Sequence, residues 1–269
     1  MSNQPIGILD SGIGGLSIWK EIVTQLPDES TIYIADSKNC PYGTRTQEEV
    51  YGLAKLMVNF LVGKGAKIIV LACNTVTVSC LDKLREDFLK LPIVGTVPVV
   101  KTATEKTFNG KIGILSTPST ASSAYQRHLI EQFAKNCEVI NLGTKNLVPF
   151  VEKGETNTKK VKDVLRKELD KFIVNKVDTI ALGCSHFPFL RKAMETIMGK
   201  KVMILDSTGA IARQTKRVLA NSNKLSSQPS PLYEFYTTNG SKEFINVARK
   251  LVGNEMAKKI ESVENVSLS

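Results

Sequence analysis

The chain has 269 residues, 42% of them hydrophobic and 23% charged, and 36 basic against 26 acidic side chains give a net charge of +10. At about 100–200 residues per domain, that allows one large domain or two moderate ones, able to bury a core without covalent or metal staples. No apolar run approaches the about 18 residues of a membrane span, and five dispersed cysteines without a C-x-x-C pair rule against a disulfide framework or a conventional zinc site.

Strand-length apolar runs alternate with longer segments of helical period. Residues 6–9 lead to 16–26, 31–35 to 48–64, and 68–72 to 76–89. The pattern resumes with 112–115 before 122–135, then 138–142 before 147–153 and 160–174, then 178–182 before 189–198. This alternation predicts an α/β fold with parallel sheets covered by helices on both faces. The segment 221–231, rich in Ser, Asn and Pro, reads as a surface loop, and the aromatic alternation of 232–238 reads as a strand.

The two halves resemble each other locally. Residues 5–11 match 111–117 at an offset of 106, and 67–75 match 178–186 at an offset of 111, with a cysteine after the strand in each copy of the second pair. Nearly equal offsets over two separate strands indicate an internal duplication. Ligands of open parallel sheets bind beyond the carboxyl ends of the strands, which singles out Asp10-Ser11, Cys73-Asn74-Thr75, Ser116-Thr117 and Cys184-Ser185-His186. If the halves face each other, Cys73 and Cys184 approach one cleft from opposite sides. Two opposed thiols suit a reaction that removes a proton from one face of a carbon and delivers one to the other, since an ordinary thiol value near 8.5 lets thiol and thiolate coexist. Asp10 is positioned to serve Cys73, and His186 to serve Cys184. Cys40, Cys80 and Cys137 read as packing residues.

Other readings compete. The turn Gly12-Ile13-Gly14-Gly15-Leu16-Ser17, with Asp36 ending the next strand, approximates a dinucleotide fingerprint. Ser17 stands where that fingerprint has Gly or Ala, and the Asp10 carboxylate would repel a pyrophosphate; the same helix N-terminus could hold a small substrate's carboxylate. A metal bound by Cys184 and His186 with Cys73 or Cys40 lacks further histidines, since His128, the other one, falls mid-helix. The basic excess is interrupted by acidic residues and carries no nucleic-acid module, which argues against a nucleic-acid partner.

The motifs taken together resemble the aspartate/glutamate racemase family, and within it the glutamate racemases. They are residues 10–16, Pro41-Tyr42-Gly43, Ala72-Cys73-Asn74-Thr75, Leu147-Val148-Pro149 with Glu152, residues 182–188, residues 204–207 and residues 235–238. The resemblance runs from about residue 5 to 253 and implies two pseudo-symmetric domains, each a mainly parallel doubly wound sheet, with the active site in the cleft between them. The first would be 1–97 with 208–269, the second 98–207, with crossings near 96–99 and 206–207. It also implies a cofactor-independent, metal-free, two-base interconversion of L- and D-glutamate that supplies peptidoglycan synthesis in the cytoplasm. An aspartate racemase or a dinucleotide-dependent enzyme is the alternative. By the same resemblance Cys73, assisted by Asp10, takes the α-proton of D-glutamate. Cys184, assisted by Glu152 and His186, takes that of L-glutamate. Asp10, Ser11, Tyr42, Gly43, Asn74, Thr75, Ser185 and His186, with Ser119 or Thr120, would bind the small-molecule substrate. The family leaves room for a homodimer. The chain departs from the family at Ser185 and Phe187, where Thr and Tyr are usual, and at the first crossing, where Gly95-Thr96-Val97-Pro98-Val99 replaces the usual Gly-Val-x-Glu-Pro.

Overall fold

The computed structural model describes residues 2–96 and 99–268, so Val97 and Pro98, within the first expected crossing, lie outside the described residues. The chain begins with β1 (Ile6–Asp10), α1 (Leu16–Gln25), β2 (Thr31–Ala35), α2 (Gln47–Gly63), β3 (Ile68–Leu71), α3 (Asn74–Asp87) and β4 (Ile93–Gly95). Next come α4 (Val100–Lys106), β5 (Lys111–Ser116), α5 (Pro118–Ser122), α6 (Ala124–Phe133), β6 (Glu138–Gly143) and α7 (Val148–Glu152). They are followed by α8 (Lys159–Val174), β7 (Thr179–Gly183), α9 (Arg191–Met198), β8 (Met203–Leu205) and α10 (Thr208–Asn221). The chain ends with β9 (Tyr233–Thr237), α11 (Ser241–Val252), α12 (Asn254–Ala257) and β10 (Glu264–Asn265).

Two sheets form, ordered β10-β9-β2-β1-β3-β4 and β6-β5-β7-β8, and every pairing within them is parallel. The order β2-β1-β3-β4 has the same pattern as β6-β5-β7-β8, with β1 and β5 each flanked by the two strands that follow it in its own half. This is the arrangement a duplicated unit produces. After β8 the chain returns to the first sheet, where β9 pairs with β2 and α10 packs on α1.

The strands were legible as apolar runs because both faces are covered: every residue of β1, β2, β3 and β7 is buried. The helices show the complementary one-sided pattern. In α8 the buried residues are Val161, Leu165, Leu169 and Phe172, and the lysines between them face solvent. Thr46 and Glu49 form a capping box that starts α2. Trp19 of α1, fully buried, donates from Nε1 to Thr31 Oγ1 at 2.9 Å and meets Phe235 edge-on at 5.1 Å, which locks α1 over β2 and β9. The expected helix over 122–135 is α6, and the short α5 precedes it as an additional element, set off because Ser123 sits extended between them and caps α6. The surface loop after α10 is tied down: Ser226 N–H donates to Glu29 Oε1 at 2.8 Å, and Lys67 Nζ, paired with Glu29 at 2.6 Å, donates to Lys224 O. Among the described residues no helix is long and apolar enough to cross a membrane.

Asp178 fixes the entry to the second sheet. Its Oδ2 accepts from the N–H groups of Phe108 and Asn109 at 3.0 and 2.7 Å, and its Oδ1 from Thr107 Oγ1 at 2.6 Å. Burial opposes the charge, but these donors outweigh it and hold the carboxyl below its ordinary value. A folded value below the unfolded one, about 3.9, means the stabilisation is present at neutral pH and lost as pH falls through the folded value. Asp178→Asn is expected to cost about 1.5–3 kcal/mol at pH 7 and much less near pH 3. Urea midpoints at both pH values check this, and a gap independent of pH would refute the assignment.

Candidate active site

The carboxyl ends of β1 and β3 from one sheet and of β5 and β7 from the other converge on one narrow cavity of about 250 Å³. It is lined by Ser11, Pro41, Tyr42, Gly43, Cys73, Asn74, Thr75, Thr117, Val148, Cys184, Ser185 and His186, with no lysine or arginine among them. The cleft expected between the repeats is therefore present, and both repeat cysteines reach it.

Cys73 is the N-cap residue of α3 and is 5% exposed. Its Sγ lies 3.7 Å from Ser11 Oγ. Burial, with the nearby Asp10 carboxylate adding to it, pushes the thiol up to about 12, against the Val76 N–H at the helix N-terminus, which favours the thiolate. Asp10 is fully buried at the end of β1. Its Oδ1 accepts from Gly12 N–H at 2.9 Å and its Oδ2 from Ser185 Oγ at 2.8 Å, the second bond crossing from one repeat to the other. Burial raises its carboxyl above the ordinary value, although His186 and these donors pull the other way.

On the opposite side Cys184 Sγ lies 3.7 Å from His186 Nδ1, and His186 Nε2 lies 2.5 Å from Glu152 Oε1. Burial disfavours the charged imidazole, yet contacts with Cys184, Cys40 and Glu152 together outweigh it and raise His186 well above its ordinary value. Ser185 Oγ, 3.3 Å from His186 Nδ1 and bonded to Asp10, joins the two sides in one network.

The glycine turn has a different purpose from the one a dinucleotide would give it. Glu152 Oε1 accepts from the Ile13 N–H at 2.8 Å, so a carboxylate of the chain itself occupies the amide donor ahead of α1. A Cβ on Gly12 would meet that oxygen at 2.1 Å, and one on Gly14 would meet His186 Nδ1 at 2.3 Å. The glycines admit Glu152 and His186 into the space ahead of α1, which counts against a pyrophosphate there. Tyr33 Oη donates to Gly12 O at 2.7 Å and holds the turn from below. Asp36 accepts from Thr238 Oγ1 at 2.7 Å and from Tyr42 Oη at 2.5 Å, so it is engaged within the protein.

Other expected residues fall as follows. Tyr42 and Gly43 line the cavity, but the Tyr42 hydroxyl is committed to Asp36. Asn74 Nδ2 reaches Thr96 O at 3.5 Å. Thr75 Oγ1 lies 3.0 Å from Thr117 Oγ1 and 3.4 Å from Thr120 Oγ1. Thr117 is the residue of its segment that lines the cavity; Ser119 does not, and Thr120 stands behind Thr117 at 3.0 Å. Thr117 caps α5 with Pro118 at the first helical position, a signature visible in the sequence that places Thr117 at the strand end. Pro41 and Val148 also line the cavity without having been singled out as contacts.

Cys40 packs against the core as expected, and one ligand atom each from Cys40, Glu152 and His186 also lie within 4.8 Å of one another. Burial, partly offset by His186, pushes its thiol up to about 12. Cys80 keeps its packing role, donating from Sγ to Val76 O within α3, and His128 stands apart on α6.

The sequence profile of the Asp/Glu/Hydantoin racemase family matches residues 6–215. The chain belongs to that family. It is 38% identical over 272 residues to the glutamate racemase of Streptococcus gordonii, covering 100% of both chains. Among solved structures it is similar to glutamate racemase isoform RacE1 from Bacillus anthracis, with a TM-score of 0.89 and 33% identity over 100% of this chain and 99% of that one. It is also similar to the Francisella tularensis glutamate racemase in complex with D-glutamate, with a TM-score of 0.86 and 28% identity over 100% and 99% of the two chains. The family's α/β architecture and the pseudo-symmetric sheets described above agree.

Gly14→Ala is expected to destabilise the protein by about 1–3 kcal/mol, because the buried His186 ring must move. Gly52→Ala in α2, whose Cβ would meet nothing within 4 Å, is the control and should be neutral or stabilising by about 0.5–1 kcal/mol. Equal urea midpoints for the two variants would overturn the account of the turn.

Proposed function

We propose that this racemase interconverts L- and D-glutamate by a two-base proton transfer between Cys73 and Cys184. The observation that carries the reading is that these two cysteines, from strand ends equivalent under the internal repeat, line one enclosed cavity. The extensive likeness to glutamate racemases, one of them holding D-glutamate, supports the choice of substrate.

In this reading one sulfur, as thiolate, removes the α-proton from one face, and the other, as thiol, delivers a proton to the opposite face. No proton is gained or lost overall, and the roles exchange in the reverse direction. Cys184 takes the proton of L-glutamate, and Cys73 that of D-glutamate. Cys184 and His186 form a pair across which one proton can move, with Glu152 steadying the ring. Asp10 and Cys73 compete for one negative charge, so Cys73 rests as the thiol, ready to donate. The substrate's carboxylates meet the hydroxyls of Ser11, Thr75, Thr117 and Ser185, Asn74, and the backbone at Tyr42-Gly43 and the N-terminus of α3. Asp10 and His186 face the bound molecule from behind these donors.

The same reading divides the chain into a discontinuous first domain, 1–97 with 208–269, and a second, 98–207, with the cavity between them. Its product would feed peptidoglycan synthesis. Five unpaired cysteines support a reducing, cytoplasmic location.

Incubation with L-glutamate in deuterated water, without added cofactor, should yield D-glutamate carrying α-deuterium, with L-aspartate turned over far more slowly. Cys73→Ser and Cys184→Ser should each reduce interconversion by about 10²–10⁴-fold while circular dichroism stays native. Full activity in either variant, or no α-deuterium with the intact protein, would falsify the proposal.

A further inference from the structure

The mechanism uses Glu152 and His186 but leaves Cys40 without a task. Cys40 follows the strand β2, Glu152 ends α7 and His186 follows β7, so three separate elements bring a thiol, a carboxylate and an imidazole together with ligand atoms within 4.8 Å. This donor set suits zinc, which takes sulfur, nitrogen and oxygen ligands, and does not suit the all-oxygen preference of magnesium or calcium. Tetrahedral zinc with bonds of about 2.0–2.3 Å holds its ligand atoms about 3.3–3.6 Å apart. The His186–Glu152 contact at 2.5 Å must therefore widen by less than an ångström or so, and Glu152, a flexible side chain at 24% exposure, is the part that can give.

Of the three, Glu152 is also reached from a second cavity that shares no lining residue with the substrate cavity. That cavity, of about 770 Å³, is lined by Ile13, Ser37, Glu152, Asn239, Gly240, Glu243 and Phe244. Two carboxylates, Glu152 and Glu243, face into it and no basic side chain lines it, so a cation is drawn in and an anionic amino acid is not. The Ile13 N–H bonded to Glu152 at 2.8 Å supplies the outer hydrogen bond that orients a ligating carboxylate.

We propose that Cys40, Glu152 and His186 form a binding site for a borderline-soft divalent cation such as zinc, filled through the Glu243-lined cavity, and that its occupancy inhibits the enzyme. Coordination forms bonds from the metal to the Cys40 sulfur, a His186 ring nitrogen and a Glu152 oxygen, and releases the Cys40 and His186 protons to water. It also takes His186 and Glu152 away from Cys184, which disables one of the two bases. The inhibitory consequence rests on the racemase reading; the occupancy does not.

Cobalt(II), a spectroscopic stand-in for zinc, tests the site in the intact protein. A thiolate-to-cobalt charge-transfer band is expected in the unaltered protein and in Cys184→Ser, and is expected to vanish in Cys40→Ser. Cobalt affinity should fall in Cys40→Ser by at least the about 10–100-fold that loss of an outer-shell partner costs. Zinc should slow alkylation of Cys40 in the unaltered protein, mapped by mass spectrometry, so the test survives a variant that does not fold. It should also lower the racemisation rate in a way that excess glutamate does not relieve and a chelator reverses. A band that persists in Cys40→Ser and disappears in Cys184→Ser would put the cation on the catalytic thiols and overturn the proposal. So would the lack of any band, or alkylation of Cys40 at the same rate with and without zinc. The spectrum and the alkylation map decide the site even if glutamate proves not to be the substrate.

Discussion

The seating of His186 and Glu152 in the glycine turn after β1 is the contact on which the site depends. Two side chains from one repeat fill the space ahead of a helix in the other, and Gly12 and Gly14 are glycine because a Cβ would overlap them. The Ile13 N–H bonds Glu152, and the Asp10–Ser185 bond closes the same junction one step deeper. Both bonds have a charged acceptor and are buried or nearly so, conditions under which losing a partner is most costly. The junction thus positions the machinery of Cys184 and couples the two sheets.

The cavity treats its two thiols differently although the strands bearing them are equivalent. Cys73 shares its surroundings with a buried carboxylate, and Cys184 with an imidazole. A strictly symmetric site would leave two groups of equal tendency to ionise on either side of one carbon, with no preference for one thiol and one thiolate. The duplication kept the cysteines and let their neighbours diverge: Asp10 at the end of β1 corresponds, by the offset of 106, to Ser116 at the end of β5, a neutral residue. On the Cys184 side the nearest titratable partner is instead His186, with the Glu152 carboxylate behind it.

Much of this was legible in the sequence, for physical reasons that also mark where legibility stopped. The central strands are buried on both faces, so they show as apolar runs, and the repeat marks Cys73 and Cys184 because it aligns strand ends. The three-residue strands β4 and β8 and the two-residue β10 are too short to carry a periodic signal, and β10 is exposed. Cys40 had no such signal either: it lies in a loop, outside any repeat match, and reaches His186 only through the path the chain takes from Asp36 to Tyr42. In the segment after β5 the strand-end rule marks Thr117, which lines the cavity, whereas the family resemblance points further along, to Ser119 or Thr120, because it follows the helix and not the cap that precedes it. The glycine turn's spacing approximates that of a phosphate site, Ser17 and Asp10 argue against that use, and only the fold shows that its Ile13 amide is taken by Glu152.

The contacts across the cavity differ in strength from one side to the other. On one side the joining bonds are Asp10–Ser185 and Ile13–Glu152, each with a carboxylate acceptor, and Ser17 Oγ donating to Ser185 O at 2.9 Å. On the other they are the hydroxyl contacts of Thr75 with Thr117 and Thr120 at 3.0 and 3.4 Å. Hydrogen bonds between neutral groups contribute about 0.5–1.5 kcal/mol, those to charged groups about 1.5–3. The carboxylate side is therefore the more strongly bonded and the threonine side the weaker. Thr75 and Thr117 line the cavity, and their hydroxyls, held only by each other and by Thr120, are donors that a substrate carboxylate can take up at little cost.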